Sequence, residues 1–190
     1  MKTSIFTAAA VATTAAFGTM AHAEAHAMVN PTVGGAEMSA DMNIVENAVN
    51  SPINTTLVAA VQAAGLVETL AGEGPFTVFA PTDDAFAALD QDQLASLLEP
   101  ENQAALQQIL TCHVVAADAM SDDILTMIED DGGARMIETV GGCMLTASLD
   151  GSNITITDER GQVAQIEVAD VDQSNGVIHV IDTVLLPAEM

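Results

Sequence analysis

The sequence predicts an α+β domain, an antiparallel sheet or β-sandwich flanked by helices that gather in the N-terminal half. The first observation behind this is a change of period. Through Leu110 the apolar residues recur three and four positions apart, as on one face of a helix, whereas from Met136 they alternate every second residue, as on one face of a strand. The second is punctuation: Gly141-Gly142, Asp150-Gly151, Gly161 and Asn175-Gly176 cut the later stretch into short strands joined by hairpins. Helices followed by a run of strands, rather than alternating with them, give an α+β architecture. No segment repeats at a period of roughly 20–50 residues, so one domain is expected.

Met1-Lys2, the apolar run Ile5 to Phe17 and the small-x-small triplet Ala21-His22-Ala23 form the tripartite pattern of a signal peptide, residues 1–23, cleaved after Ala23. Export is the expectation. No cysteine follows the apolar run, so a bacterial lipid anchor is not indicated there. Residues 24–41, rich in Gly, Pro and small polar residues from Asn30 to Asp41, are expected to form a flexible leader, with the domain over residues 42–188.

Ile44, Val45, Ala48 and Val49 start the helical stripe, and Leu57, Ala60, Val61 and Ala64 continue it after Ser51-Pro52, with Gly65 placed to end the second helix. Phe76 to Ala80 reads as a short buried strand after the Gly74-Pro75 turn, and Pro81 ends it. Thr82 then suits the N-cap of a helix with Asp83 and Asp84 in its first turn, where exposed carboxylates gain about 0.3–1 kcal/mol each from the helix dipole. Read as an acid/base pair or metal ligands, the same two side chains would diverge by about 100° on a helix, which favours capping. Phe86 and Leu89, then Leu94, Leu97 and Leu98, mark further helices. Glu99-Pro100-Glu101 opens another that carries Ala105, Leu106, Ile109 and Leu110 on one face.

The strands expected next are Met136 to Val140, Cys143 to Leu149, Asn153 to Asp158, Gln162 to Ala169 and Val177 to Ile181. The Asn153 strand alternates isoleucine with threonine and so has one wet face. Val177 to Ile181 is apolar on both sides except at His179, which places it centrally.

With 3 Lys+Arg against 27 Asp+Glu, the net charge is −24. Such a chain repels phosphate backbones and anionic lipid heads, so nucleic acid and membrane surfaces are excluded as partners, and insertion into a membrane after signal removal is not expected. The most apolar late segment, Val177 to Leu186, has about ten residues where a span needs about 20. At ionic strength near seawater the Debye length shrinks to about 4 Å, so the charge suits solubility in a salty medium.

Cys112 and Cys143 are the two cysteines of an exported chain, which makes a disulfide the default reading. It would close a loop of about 32 residues and contribute roughly 3.7 kcal/mol by the chain-entropy relation.

Three blocks stand in order: TVFAPTDDAF at Thr77 to Phe86, LTCHVV at Leu110 to Val115, and NGVIHVIDTVLLP at Asn175 to Pro187. Together with the helical openings NIVENAV at Asn43 and TTLVAAVQAAGLVETL at Thr55, they resemble the fasciclin domain, a secreted adhesion module. The resemblance implies a compact wedge of β-sandwich and helices. In fasciclin domains a short Tyr-His motif is tied to adhesion to integrin-type receptors; His113 matches its His, and Cys112 stands where the Tyr would be. A half-cystine offers no phenolic ring to a receptor.

Thr82, Asp83, Asp84 and His113 are the polar residues of these blocks and the candidates for partner binding. His113 and His179 also read as hydrogen-bonded structural histidines within apolar runs. The segment from Asp170 starts like a calcium loop but has Gly176 one place late and Ile181 where Glu is needed, so it is rejected. Asp122, Asp123, Glu129, Asp130 and Asp131 read as a solvated charged loop, with weak Ca²⁺ binding as the alternative. His26, Met28, Met38 and Met42 are soft donors without regular spacing. No cofactor, metal or catalytic residue is expected, since no nucleophile-base signature, phosphate loop or dinucleotide fingerprint is present. The functional expectation is an exported, non-enzymatic, monomeric binding module, periplasmic or extracellular, that engages a protein, matrix or cell-surface component. The alternative is a periplasmic binding or stress-related protein without an adhesion role.

Overall fold

In a computed structural model describing residues 30–188, the chain opens on a hairpin of β1 (Thr32–Val33) and β2 (Ala36–Glu37). Helices α1 (Ile44–Asn50), α2 (Thr55–Ala64) and α3 (Val67–Leu70) follow. Strand β3 (Phe76–Pro81) leads into α4 (Asp83–Ala87), α5 (Gln91–Leu97), a 3₁₀ turn at Pro100–Asn102 and α6 (Gln103–Cys112). After β4 (Val114–Val115) come α7 (Ser121–Asp130), β5 (Ala134–Glu138), β6 (Met144–Asp150), β7 (Asn153–Thr157), β8 (Val163–Gln173) and β9 (Gly176–Ile181). The expected signal peptide lies outside the described residues.

Seven strands pair in the order β4-β3-β9-β8-β7-β6-β5. Every pairing is antiparallel except β3 with β9, which run parallel from Phe76↔Gly176 to Pro81↔Ile181. The sheet is thus mostly antiparallel, as expected, with one parallel pair within it: β3 and β9 are apolar on both faces, the pattern of a buried parallel pair, and about half of the chain separates them. Strand β8 pairs with β7 through its first half and with β9 through its second, with register shifts between Ile166, Val168 and Val171. Bulges of this kind bend a strand, so the layers of the domain form one continuous sheet that turns at β8.

The sheet divides two apolar cores. Val78 and Ala80 of β3, with Ile178 and Val180 of β9, face α1, α2 and α6 through Ile44, Leu57, Val61, Leu106 and Leu110. Phe79 and Ile181 face the other way, into a core with Leu145, Ile154 and Ile156 that α7 covers with Ile124 and Ile128. The period-two alternation of β3 and β9 thus feeds both cores at once.

The two edges of the sheet meet at one seam. Val140, just after β5, donates its N–H to the Val114 carbonyl of β4 at 2.7 Å, and Gly141 donates to Thr111 O at 3.0 Å. Cys112 and Cys143 are disulfide-bonded across the seam, with Cα atoms 5.3 Å apart. Gly141 permits the approach, because a Cβ there would stand 2.9 Å from the Cys112 nitrogen.

Two expectations are corrected. The described part of the leader is folded: Gly34 and Gly35, both at positive φ, turn the β1–β2 hairpin, and Val33 and Met38 are buried in the first core. Buried Asn47 holds this segment through Ser39, accepting from its N–H at 3.0 Å and donating to its carbonyl at 2.7 Å. The acidic stretch from Asp122 is helix α7 rather than a loop, since Ile124 and Ile128 stand one turn apart and both are fully buried. LTCHVV is the end of α6 followed by a two-residue strand, with His113 as the helix C-cap.

Candidate functional site

Thr82, Asp83 and Asp84 sit where β3 ends and α4 begins. Thr82 is buried and its hydroxyl accepts from Ala85 N–H at 3.2 Å, so it is the N-cap the sequence implies. Asp83 does more than serve its own helix. Its carboxylate accepts from Thr56 N–H at 2.7 Å, Thr55 N–H at 3.3 Å and the Thr55 hydroxyl at 2.8 Å, and so caps α2. Burial works against its charge, but these hydrogen bonds outweigh that and hold its carboxyl below the usual carboxylate range. Asp84 is exposed.

His113 is placed apart from them, its carbonyl opposite Phe79 midway along β3. It is 2% exposed. Its Nδ1 lies 2.8 Å from Ile109 O and its Nε2 accepts from Leu185 N–H at 2.9 Å, an arrangement that requires a neutral ring protonated on Nδ1. Burial lowers its pKa to about 4, against the opposing pull of the Ile109 hydrogen bond and the Asp158 charge. The partner-contact role that the resemblance implied for His113 is therefore corrected: both nitrogens are spent on the fold, and no partner reaches the ring. His179 is held in the same way, its Nε2 on Ala119 O at 2.9 Å and its Nδ1 accepting from Asp170 N–H at 3.3 Å, with burial pushing its pKa down.

Asp170 repeats the logic of Asp83. It accepts from Ser121 N–H at 2.7 Å and from the Ser121 hydroxyl, capping α7 from 49 residues away. Its φ of 56° places it in the left-handed region, which Asp tolerates better than most residues. Asn175 is a third long-range tie, accepting from Ile44 N–H at 3.0 Å and donating to Leu70 O and Gly72 O at 2.8 and 2.9 Å. Neither residue was picked out for these roles from the sequence; the signals available were the Asn-Gly turn and an acid at a strand irregularity.

The register reveals a surface that sequence reasoning missed. On the outer face of the β5–β8 half, Met136, Thr146, Thr157 and Val163 form one cross-strand row, and Ala134, Ser148, Thr155 and Gln165 form the next. None carries a charge, although the chain has 27 acidic residues. Met136 is 62% exposed and Val163 53%, at the two ends of a row about 14 Å wide. The Ser148 and Thr155 hydroxyls lie 3.0 Å apart and bond each other, and Thr155 is buried within its row. Among the described residues no group of His, Cys, Asp and Glu could hold a metal, and Met38, one of the soft donors, lies in the core. His26 and Met28 fall outside the described residues.

The fasciclin domain model matches residues 53–187. The chain belongs to the fasciclin domain family. Protein sll1483 of Synechocystis is 49% identical over 137 residues, which cover 70% of this chain and 67% of that one. Transforming growth factor-beta-induced protein ig-h3 of Sus scrofa is 40% identical over 131 residues, 69% of this chain and 17% of the relative. The fold is similar to the FAS1 domain pair from the insect cell adhesion molecule fasciclin I, with a TM-score of 0.68 at 18% identity over 76% of this chain and 51% of that one. The chain thus spans about half of the insect domain pair. As a fasciclin domain, the molecule uses its shared blocks chiefly to build core and caps: of the four candidate residues, Asp84 alone is exposed.

Proposed function

We propose that this fasciclin domain is an exported, non-catalytic binding module that engages a protein or matrix component at the cell surface through the two charge-free rows on the outer face of β5–β8. The observation that carries the reading is the pair of charge-free rows ending in exposed Met136 and Val163. The two exposed apolar side chains, with no charge between them along the row, offer surface that a partner could cover. Family membership supports adhesion, since a solved relative is an insect cell adhesion molecule. Net charge supports a neutral or basic partner surface. Asp84, at the far end of β3, is a separate contact candidate from the family blocks. The test is retention of the purified protein on matrix or cell-surface extract, comparing wild type with Met136→Ser/Val163→Ser and with Asp84→Ala. Loss of retention in the double variant, with an unchanged circular dichroism spectrum, is expected; full retention in it would rule this face out.

A further inference from the structure

Between α1, α2 and the first-core face of β3 and β9 lies a cavity of about 50 Å³. Several times the roughly 10–15 Å³ that one water needs, it is lined almost wholly by aliphatic side chains, among them Leu57, Val61, Val78 and Ile178. Water in it would find few partners. The polar groups that touch it are already engaged: Ser51 donates to Asn54 Oδ1 at 2.7 Å, Asn54 donates to Pro81 O at 2.8 Å, and both His113 nitrogens are bonded. A dry void forfeits dispersion contacts that an apolar occupant would restore. The cavity also reaches the surface, because half-buried Val45, Ala48, Val58 and Val67 form its rim and Gln62, at the mouth, is exposed.

We propose that this cavity is a binding site for a slender, uncharged aliphatic molecule, its chain inserted between α1 and α2 and a hydroxyl-type head at the Gln62 amide. The electrostatics select against an anionic lipid. Glu46 on α1 and Glu68 on α3 flank the mouth in sequence, no basic residue lines it, and the described arginines are committed elsewhere, Arg135 to Asp131 and Arg160 to Pro187 O. A carboxylate head would have to be desolvated among acids with no cation to meet it. This goes beyond surface adhesion, since it uses the opposite side of the molecule and a different class of ligand.

The experiment titrates the full chain with 1-decanol and, separately, with decanoate at pH 7, following methyl resonances by NMR. Decanol is expected to shift the methyls of Val61, Val78 and Ile178 saturably, and decanoate to bind about tenfold more weakly or worse. Ala48→Phe, which puts a ring in the mouth, is expected to abolish the shifts while the rest of the spectrum is kept; Val58→Phe serves if that variant does not fold. Absence of saturable shifts with decanol, equal binding of decanoate, shifts confined to Met136 and Val163, or shifts that survive the filled mouth would each overturn the proposal.

Discussion

Asp83 accepts the N–H of Thr56 at 2.7 Å although 27 residues separate them. The first turn of α4 thereby supplies the cap of α2, whose own N-cap residue, Asn54, makes no side-chain capping bond. Asp83→Ala is expected to lower stability by about 1–2 kcal/mol, the range for a lost cap. Asp84→Ala, on the exposed side of the same turn, should stay within about 0.5 kcal/mol of wild type. Urea unfolding of both variants checks the contrast, and equal effects would show that the cap across elements carries no energy.

Acid should destabilise the protein through His113. The unfolded imidazole takes a proton near pH 6.5 and the folded one near 4, so the unfolded state binds more protons between those values and stability falls as pH drops through them. The full stability is present above pH 6.5. About 2.5 pH units at about 1.4 kcal/mol each give a loss of roughly 3 kcal/mol by pH 4, and His179, shifted the same way, adds to it. His113→Gln keeps one donor and one acceptor but does not titrate. Its stability should therefore fall less than wild type from pH 7 to 4, which cancels the effect of acid on the carboxylates common to both. Parallel pH curves for the two proteins would contradict this.

Reducing the Cys112–Cys143 bond should lower stability by about 3–4 kcal/mol, the chain-entropy value for a loop of this length. The Cys112→Ser/Cys143→Ser variant should match the reduced wild type in a denaturant titration. A change below about 1 kcal/mol would mean that the hydrogen bonds of the seam hold the edges without it.

Asn175→Ala removes three hydrogen bonds that join the β8–β9 turn to α1 and to the end of α3. With part-buried donors and acceptors left open, a loss of about 2–4 kcal/mol is expected. Hydrogen exchange should quicken at Ile44 first. Unchanged protection there would show that another group takes over the tie.

Export predicts a product beginning at Glu24. Intact-mass measurement on protein recovered outside the cytoplasm should give the chain without residues 1–23; a mass that retains them would overturn the cleavage.

Much of the fold was legible because period and punctuation act locally. The stripe from Ile44 to Ala64, the Gly65 cap at φ 72° and the central place of Val177 to Ile181 all follow from neighbours in sequence. What stayed hidden depends on distant residues. Composition made the Asn30 to Asp41 segment look loose, because nothing nearby shows that Asn47 will pair with Ser39 or that Val33 will be covered. The acids of α7 drew attention from Ile124 and Ile128, whose spacing carried the helix. At the candidate site, Thr82 was readable as a cap, whereas the charge-free rows of β5–β8 exist only once four strands are in register, and the burial of His113 only once Leu185 reaches it.

The stapled seam also sets how the domain answers a pulling force applied between its ends. With 31 residues of separation locked inside the bond, α7 and β5 lie in a loop that tension on the termini cannot draw out. About 100 Å of contour length is withheld, at roughly 3.3–3.6 Å per residue. Force would travel instead across the bond from the end of α6 into β6, shielding the loop until a sulfur bond is reduced, so the length at which this domain gives way under tension is a property that a reductant can change.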